Sequence, residues 1–532
     1  MQPAISQPVI VRRTLIVGLE IHVELATRTK MFSRAPSPAH AEHHESASNT
    51  LIDPTVLGLP GALPIMNRAA VEMSMLVGLA LGCRIAPLAR WDRKSYFYPD
   101  LPKSYQISQY DLPLCFDGSL HLPALDAQGE LDLERLTEGG VGGALEGRTI
   151  GIIRAHLEED AGKLLHEAPG GFPIDGTIAD YNRAGTPLLE IVTQPDFRAA
   201  DEVVAFSKLL RNICRFLRVT EGVMQRGHMR FEPNINCELV LEDGRIVRTP
   251  IVEVKNLNSF KSLKGAIEYE AREQPERWLR TGQEMSAGSK TTRGWDDVRE
   301  VTLPQREKED AHDYRYFPDP DLPPVVVDEA WEARVRGTLL ELPLTRMMRF
   351  RRDYGLSARE AAAIVEERDD CDYFEDVVRE LQTRNVNGPR AGRLAANWIL
   401  QAGLKLANER GVRVAALGIN AGQLAALAAL RESGALGNQA ADELFSLLAS
   451  PEHRGADPHT LAQSRGLLTV RDEGALRAWC EQAMTENPQS VADLKQGKQA
   501  AIGRLVGAVM KASGGKADAK AAREKLEELV RG

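Results

Sequence analysis

Motifs that would assign a common enzyme class are missing from this chain of 532 residues. It has no G-x-x-x-x-G-K-[ST] P-loop, no G-x-G-x-x-G after a strand and no G-x-S-x-G nucleophile elbow. These absences exclude a nucleotide held by a P-loop and a serine hydrolase of that type. No cysteine lies in a recognisable nucleophile motif, so any ammonia that the protein uses must be released by another protein of a complex.

Cysteines and long apolar runs are also scarce. The six cysteines are widely separated and form no C-x-x-C pair, which favours reduced thiols over a disulfide framework or a zinc site. The first 13 residues lack the apolar core of a signal peptide, and the apolar stretch from Met73 to Cys83 is too short to cross a bilayer. We therefore expect a soluble protein of the cytoplasm with no membrane association.

The composition is that of an ordinary globular protein, with 43% hydrophobic and 27% charged residues and a formal net charge of -9. A chain of this length exceeds what one hydrophobic core usually supports, so two to four domains are expected. The net negative charge excludes a protein whose whole surface is basic. It does not exclude binding of nucleic acid, because a local basic patch is enough for phosphate binding.

Two styles of sequence divide the chain near residue 325. The first part alternates short strand-like runs with helical periodicity, without a regular βαβ rhythm, and this predicts an α+β fold. A proline-dense segment, Phe317 to Pro324, closes it, and the remainder reads as helices. From Lys495 to Arg531 there are nine Lys or Arg and four Asp or Glu. This basic tail is either a solvated helix surface or a contact to an RNA backbone.

Residues Thr14 to Leu25 (TLIVGLEIHVEL) predict a β-strand with one apolar and one polar face. Side chains of a strand point to opposite faces with a period of two, so the apolar residues share one face. Glu20, His22 and Glu24 then share the other. Their donor atoms suit a hard divalent cation or acid–base catalysis, although the solvated face of a half-buried strand gives the same pattern.

Two further segments have the composition of functional loops. Ala89 to Pro113 places Lys94 and Lys103 among aromatic residues, where a lysine can neutralise a phosphate, stack on a base or donate protons along a wet channel. His156 to Lys163 (HLEEDAGK) presents carboxylates at a predicted strand end. Alternation puts Glu158 on the polar face, and Glu159 joins it only with a twist or bulge, so the pattern leaves open which of the two binds a metal.

Six long motifs occur in order over residues 16 to 324: VGLEIHVEL, DRKSYFYPDLPKSYQISQYDLP, HLEEDAGK, DYNRAGTPLLEIV, EVKNLNSF and DYRYFPDPDLPP. Together they closely resemble the GatB family, the B subunits of bacterial tRNA-dependent amidotransferases. The helical remainder resembles the helical domain and YqeY-like tail of that family. The resemblance implies a catalytic cradle with an antiparallel sheet over residues 1–325, an all-α helical domain over 326–415 and an all-α, tRNA-binding tail over 416–532.

The resemblance also implies an activity. The family uses ATP to phosphorylate the side-chain carboxylate of a mischarged Glu-tRNA(Gln) or Asp-tRNA(Asn), and then forms the amide with ammonia. The partner amidase, or A subunit, releases that ammonia from glutamine, and the small C subunit completes the complex. Because ammonia cannot displace an oxygen of a carboxylate anion, phosphorylation must supply a leaving group, and the phosphoryl step needs a divalent cation.

Residue roles follow from the same resemblance. It places the Mg²⁺ ligands on Glu20, His22 and Glu159, and it places Lys94 and Lys103 at the mouth of the ammonia path. Glu158, Asp160 and Asn182 are expected as lesser members of the ATP site. Many relatives carry four zinc-binding cysteines where this chain has other residues, namely Ser33, Ala35, Asp53 and Val56, so no structural zinc is expected here.

Two other protein classes fit parts of the sequence. A non-catalytic tRNA-binding scaffold would be favoured by loss of the acidic face of the first strand, but that face is intact. An enzyme similar to an aminoacyl-tRNA synthetase, which activates free amino acids, would carry H-I-G-H and K-M-S-K-S type signatures, and these are absent. ATP hydrolysis that depends on mischarged tRNA rather than on a free amino acid separates the three.

Overall fold

A computed structural model describes residues 8–135, 146–168, 171–305, 314–469, 473–496, 498, 500–515 and 517–531. The chain divides into two compact units, Met1–Pro343 and Leu344–Gly532. The strand at Val325–Val326 pairs with Leu88–Ala89, so the first unit continues past residue 325. The division into three domains at residues 325 and 415 stays a prediction.

The first unit is built on a ten-stranded sheet, with three small sheets beside it. The order in the large sheet is β15-β14-β13-β11-β1-β10-β7-β6-β2, with β12 paired to β11, and its described pairs are antiparallel except β13 with β14. The strands are β1 (Ile10–Glu24), β2 (Arg84–Ile85), β3 (Leu88–Ala89), β4 (Asp92–Ser95), β5 (Tyr105–Ser108), β6 (Cys115–Pro123), β7 (Gly147–Glu159), β8 (Lys163–Ala168), β9 (Phe172–Asp180), β10 (Pro187–Thr193), β11 (Met229–Leu241), β12 (Ile246–Arg248), β13 (Val252–Lys255), β14 (Thr291–Asp296), β15 (Val301–Pro304), β16 (Phe317–Pro318) and β17 (Val325–Val326).

Helices of the first unit pack on the apolar side of this sheet. They are α1 (Arg68–Ala80), α2 (Ala200–Phe216) and α3 (Phe260–Thr281), and α4 (Glu329–Arg336) packs against α1. The alternation predicted for the first strand is confirmed, since Val17, Leu19, Ile21, Val23 and Leu25 are fully buried in the main core. Burial of one face of β1 fixes its register, and a slip of one residue would turn every core side chain to the other side.

The described residues of the second unit form helices and no strand. The helices are α5 (Pro343–Tyr354), α6 (Ala358–Ile364), α7 (Arg368–Thr383), α8 (Gly388–Trp398), α9 (Leu404–Arg410), α10 (Ala421–Glu432), α11 (Asn438–Leu448), α12 (Pro458–Ser464), α13 (Glu473–Glu486), α14 (Pro488–Lys495), α15 (Ala500–Ala512) and α16 (Ala519–Arg531). A mixed sheet region followed by a helical region confirms the predicted α+β class. None of the helices found in the described part of the chain is long and apolar enough to cross a membrane.

Candidate functional site

Strand pairing brings charged residues from four strands onto the polar face of the large sheet. In the register of β1 with β10, His22 lies opposite Glu190, and Glu190 in turn lies opposite His156 of β7. On the other side of β1, Glu20 lies opposite Glu232 of β11. Residues directly opposite each other in a sheet point to the same face. Four strands therefore present these side chains to one shared surface.

The Nε2 atom of His22 is the centre of this group. It lies 3.7 Å from Oε1 of Glu20, 3.8 Å from Oε1 of Glu158 and 3.6 Å from Oε2 of Glu190. Two sets of donor atoms, one from Glu20, His22 and Glu232 and one from His22, Glu158 and Glu190, each lie within 4.8 Å of one another. We call these five residues the His22 cluster.

The spacing of these atoms can be compared with what a cation needs. Mg²⁺ binds oxygens at about 2.1 Å in an octahedron, which puts neighbouring donors about 3 Å apart and opposite donors about 4.2 Å apart. The His22 cluster therefore fits a divalent cation with small side-chain adjustments. The side chain of Glu20 is 21% exposed and that of Glu158 only 4%, so the cluster opens to solvent on the Glu20 side.

The carboxylates give His22 an unusual charge. Burial lowers its pKa, but the hydrogen bond to Glu190 and the charge of Glu232 outweigh burial and raise it to about 9. In the metal-free protein the ring is therefore cationic at neutral pH. A proton on Nε2 occupies the position that a cation would take, since a metal-binding imidazole must be neutral.

His156 lies on the opposite side of the same carboxylate. Its Nε2 is 3.6 Å from Oε2 of Glu190. Burial, which outweighs the attraction of Glu190, lowers the pKa of His156 to about 4, and the charges of Arg154 and Lys94 act in the same direction. His156 is therefore a neutral neighbour of the His22 cluster, able to orient Glu190.

Two of the carboxylates differ in how readily they take a proton. Burial and the charge of Glu190 raise the pKa of Glu158 to about 7. Burial also favours the neutral form of Glu190, but the hydrogen bond with the cationic His22, its charge and the charge of Lys94 hold the pKa of Glu190 well below the usual value. Glu190 is therefore an anion at neutral pH, whereas Glu158 is only partly ionised there, and a nearby cation would favour its anionic form.

Glu159 lies elsewhere. It pairs with Pro187, one residue away from the register of Glu158, so its side chain points to the other face of β7. There its carboxylate pairs with the ammonium of Lys103, and Oε1 accepts a hydrogen bond of 3.1 Å from the backbone N–H of Ile107. The expectation that Glu159 ligates Mg²⁺ stays a prediction, and in this structure Glu158 occupies the place beside His22.

Lys94 approaches the cluster from the small sheet β16-β4-β5. Its Nζ lies 5.1 Å from the ring centroid of Tyr314. Burial favours the neutral amine, but the charges of Glu158 and Glu190 outweigh burial and raise the pKa of Lys94. The structure therefore brings Lys94 into electrostatic range of the cluster as a permanent cation, while Lys103 is paired on the other face.

Asp160 and Asn182, two of the expected lesser members of the site, form hydrogen bonds with other parts of the protein. Asp160 accepts a 2.6 Å hydrogen bond from Arg230, and the nearby guanidinium groups outweigh its burial and hold its pKa below the usual value. Asn182 accepts a 2.8 Å hydrogen bond from the N–H of Leu51 and donates one of 2.7 Å to the carbonyl of Ala47. Both positions therefore shape the loops beside the site.

The positions of the missing zinc ligands are filled by local bonds and apolar contacts. Ser33 Oγ accepts from the N–H of Ala35 at 3.1 Å, and Asp53 Oδ1 accepts from the N–H of Val56 at 2.8 Å. Ala35 and Val56 pack with Ala184 in a small buried cluster. These contacts stabilise the segment where four thiolates and a metal would otherwise do so. The absence of zinc stays a prediction.

Sequence reasoning did not single out Glu190, Glu232 and His156. Glu232 and His156 lie on strands whose alternation is visible, so their faces could have been assigned, whereas Glu190 interrupts a nearly continuous apolar run, PLLEIVT. Their proximity to His22 depends on which strands are neighbours, and the pairings of β1 with β10 and β11 join residues about 170 to 230 positions apart. Local periodicity carries no information on such pairings.

Comparisons with known proteins agree along nearly the whole chain. Residues 15–333 match the GatB/GatE catalytic domain family, and residues 372–530 match the GatB domain family. The chain is 42% identical over 515 residues to the B subunit of the aspartyl/glutamyl-tRNA(Asn/Gln) amidotransferase of Thermomicrobium roseum, a match that covers 97% of this chain and 98% of that protein. Proteins of the same name from Rhodopirellula baltica and Janthinobacterium sp. are each 41% identical, covering 97% of this chain and 97% and 99% of their own lengths.

Proposed function

The chain belongs to the GatB/GatE family, as the B subunit of a glutamine-dependent amidotransferase that acts on tRNA, and we propose that its first unit carries the ATP-dependent step. In this proposal the side-chain carboxylate of Glu or Asp esterified to tRNA(Gln) or tRNA(Asn) is phosphorylated and then amidated. The products are Gln-tRNA(Gln) or Asn-tRNA(Asn).

The observation that carries the proposal is the position of His22 Nε2 within 4 Å of three carboxylates. Buried carboxylates repel one another, and a solvated surface gives no reason to assemble them on four strands. A divalent cation bound there would neutralise phosphate charge and align the nucleotide with the attacking carboxylate. Glu20, His22, Glu158 and Glu190 would hold it, with Glu232 as a further donor.

The remaining residues have defined parts in the first step. An oxygen of the substrate carboxylate attacks the γ-phosphorus of ATP, and the bond to the β-phosphate oxygen breaks, which gives an acyl phosphate and ADP. Lys94 stays cationic beside the cluster, so its ammonium can stabilise negative charge on the transferred phosphoryl group. Lys255 donates to Oε2 of Glu232 at 2.7 Å, which fixes that carboxylate on the edge of the cluster.

The second step uses ammonia. Its nitrogen attacks the acyl carbon, phosphate leaves with the shared oxygen, and the nitrogen loses a proton. The ion pair of Glu159, on β7, with Lys103 lies on the face of the sheet opposite to the face that carries His22. Both side chains are almost fully buried. We assign this pair to the path along which ammonia reaches the site, because buried groups that can exchange a proton suit passage of a small base.

The proposed assembly follows from the family. We infer a heterotrimer in which a partner amidase, the A subunit, releases ammonia from glutamine and the small C subunit completes the complex, working in the cytoplasm on charged tRNA. The mixed charge of the first unit agrees with a site for phosphates and cations, whereas the basic tail described above agrees with contact to an RNA backbone.

Release of ADP separates this function from the alternatives. The assembled complex is incubated with ATP and Mg²⁺, and with either Glu-tRNA(Gln), uncharged tRNA or free glutamate. We expect ADP release only with the mischarged tRNA, and we expect Glu190→Gln to reduce it at least 100-fold while glutamine hydrolysis persists. Release with free glutamate would instead indicate an enzyme that activates free amino acids, and no release with any substrate would indicate a scaffold.

A further inference from the structure

A small cavity lies between the last turns of α3 and the edge of the large sheet, where β13 and β14 begin. We call it the edge cavity. It has a volume of about 200 Å³, and Arg277, Trp278 and Arg293 are among the residues that line it. None of its described lining residues is an Asp or a Glu. The volume is below that of sites for drug-sized ligands, so the edge cavity suits a small molecule or ion.

The edge cavity is separate from the His22 cluster. Arg293 pairs with Val254, a residue of the main core, so its side chain points to the apolar side of the sheet, where α3 packs. His22 points to the other side. In the register of the sheet, Val252 of the cavity wall is two strands away from Val17, and His22 lies five residues further along β1. Strand geometry therefore separates His22 from the cavity by about 20 Å.

The charges around the edge cavity do not balance. Nη1 of Arg277 and Nε of Arg293 each lie 3.4 Å from a carboxylate oxygen of Glu270, which is fully buried behind the cavity wall. The other buried carboxylate nearby, Glu253, lies 3.9 Å from Nζ of Lys290. Three cations thus face two carboxylates, and the excess positive charge lies on the side of the two arginines. An anion in the cavity would neutralise it.

Both arginines keep N–H groups for a ligand. The hydrogen bonds of Arg277 to described residues amount to one, a long bond of 3.4 Å to Glu270. Arg293 donates from Nε to Oγ1 of Thr302 at 2.7 Å and from Nη2 to the carbonyl of Thr302 at 2.6 Å, which fixes its guanidinium. Burial and the charge of Arg277 hold the pKa of Arg293 below its usual value, although Glu270 acts in the opposite direction. The guanidinium of Arg293 is therefore held in place with less negative charge around it than its burial requires.

Trp278 adds a neutral donor that is not used. Its indole Nε1 is buried and has no hydrogen-bond partner in the part of the chain that the structure describes, and the residue is only 6% exposed. The ring packs with Leu239 and Val247, which fixes its position. An indole N–H can only donate, and buried polar groups are almost always bonded. The donor that is missing its acceptor thus lies in the wall that also carries Arg277.

We propose that the edge cavity binds a small oxyanion, a carboxylate or phosphate group, through Arg277, Arg293 and the indole N–H of Trp278. Guanidinium groups bind such anions through paired N–H···O bonds, and an oxyanion offers several acceptor oxygens to donors that come from a helix and a strand. The inference goes beyond the proposed function and does not depend on it. Inorganic phosphate and glutamate both carry this chemistry, and they are the two probes.

The indole N–H of Trp278 can report binding directly. The assembled complex is prepared with ¹⁵N-labelled tryptophan in this chain, and the Trp278 resonance is assigned with Trp278→Phe. One arm adds sodium phosphate and the other sodium glutamate, each compared with sodium chloride at equal ionic strength. In at least one arm we expect a saturable downfield shift of this resonance, with a Kd of about 1 mM or less. A resonance that moves in neither arm beyond its response to chloride would overturn the proposal.

Variants separate a specific site from a general effect of charge. Arg277→Gln removes a charged donor, so the Kd read from the Trp278 resonance should rise by about tenfold or more. Arg280→Gln is the matched control, because Arg280 lies on the same helix, pairs with Glu273 at 3.5 Å and does not line the cavity. Its Kd should stay within about twofold of the wild type. Equal losses in the two variants, or no loss in Arg277→Gln, would contradict the proposed site.

Discussion

His22 and Glu190 lie directly opposite each other on β1 and β10, with Nε2 of the histidine 3.6 Å from Oε2 of the glutamate. Cross-strand pairing thus places an imidazole and a carboxylate on one face without any loop. Sites built on rigid strands hold their donors more firmly than sites on loops. This relationship makes the His22 cluster the centre of the predictions that follow.

The choice between Glu158 and Glu159 as a metal ligand can be made by one pair of variants. Glu158→Gln removes a charge beside His22, so we expect Mn²⁺ affinity, measured by electron paramagnetic resonance, to fall at least tenfold. Glu159→Gln, on the other face of β7, should stay within about twofold of the wild type. The opposite order would favour the ligand set implied by the family resemblance, Glu20, His22 and Glu159.

Titration of the histidines tests the electrostatics of the site. In metal-free protein the His22 ring should lose its proton as the pH rises through about 9, and His156 should gain one only as the pH falls through about 4. NMR of protein with ¹³C-labelled histidine, assigned with His22→Gln and His156→Gln, measures both. Mg²⁺ should abolish the step near pH 9, because the metal and the proton compete for Nε2. Ordinary values near 6.5 for both rings would contradict the structure.

The buried pair of Lys103 and Glu159 gives a prediction on stability and activity together. Lys103→Met leaves an unpaired carboxylate, which should destabilise the protein by about 3–5 kcal/mol in urea unfolding. The double variant Lys103→Met, Glu159→Gln should recover most of that loss, since no buried charge remains. The single and the double variant should each form amide far more slowly than wild type, with unchanged affinity for tRNA. Lys94→Met should also slow amide formation without a change in tRNA affinity. Equal losses in amidation and tRNA affinity would mean that these lysines are RNA contacts.

The metal content of the purified protein tests the prediction that the segment carrying Ser33 and Asp53 binds no zinc. Because local hydrogen bonds and the packing of Ala35 with Val56 replace four thiolates, we expect less than about 0.1 zinc per chain by elemental analysis. Dialysis against a chelator should leave the thermal unfolding midpoint unchanged. One zinc per chain that resists dialysis would contradict the prediction.

The basic tail calls for charge substitutions rather than a deletion. Residues Leu344–Gly532 form one unit and α10 packs against α7, so removing residues 416–532 would cut through a folded core. The variant Arg504→Gln, Lys511→Gln, Lys520→Gln should raise the KM for tRNA and lower the slope of log affinity against log salt by about 2. Glutamine hydrolysis should not change. Affinity equal to wild type at moderate salt would show that the tail is only a solvated surface.

Much of the first strand could be predicted from the sequence, because alternation is a local signal. It assigned Glu20 and His22 to the polar face and Leu19 and Ile21 to the core, as observed. The same rule applied to β7 put Glu158 on the polar face, and the structure agrees. The change from mixed strand and helix patterns to helical periodicity near residue 325 predicted the α+β class and the division of the chain, and the family resemblance implied the same.

The partners of His22 could not be predicted in the same way. Glu190 and Glu232 come from strands that are distant in sequence, and their neighbours are decided by which faces the core must bury. The direction of each pKa shift depends on those neighbours too, which is why His22 and His156, both beside Glu190, shift in opposite directions. The order of the strands in the sheet therefore determines the partners of His22, which composition and periodicity could not predict.

The fate of one oxygen atom tests the central claim most directly. Glu-tRNA(Gln) with ¹⁸O at both oxygens of its side-chain carboxylate is converted by the assembled complex with ATP, Mg²⁺ and glutamine, and the inorganic phosphate is analysed by mass spectrometry. If the carboxylate attacks the γ-phosphorus, each turnover transfers one ¹⁸O to phosphate, and Glu190→Gln lowers the yield of labelled phosphate in parallel with that of Gln-tRNA. Amide formation with unlabelled phosphate would contradict phosphorylation of the carboxylate.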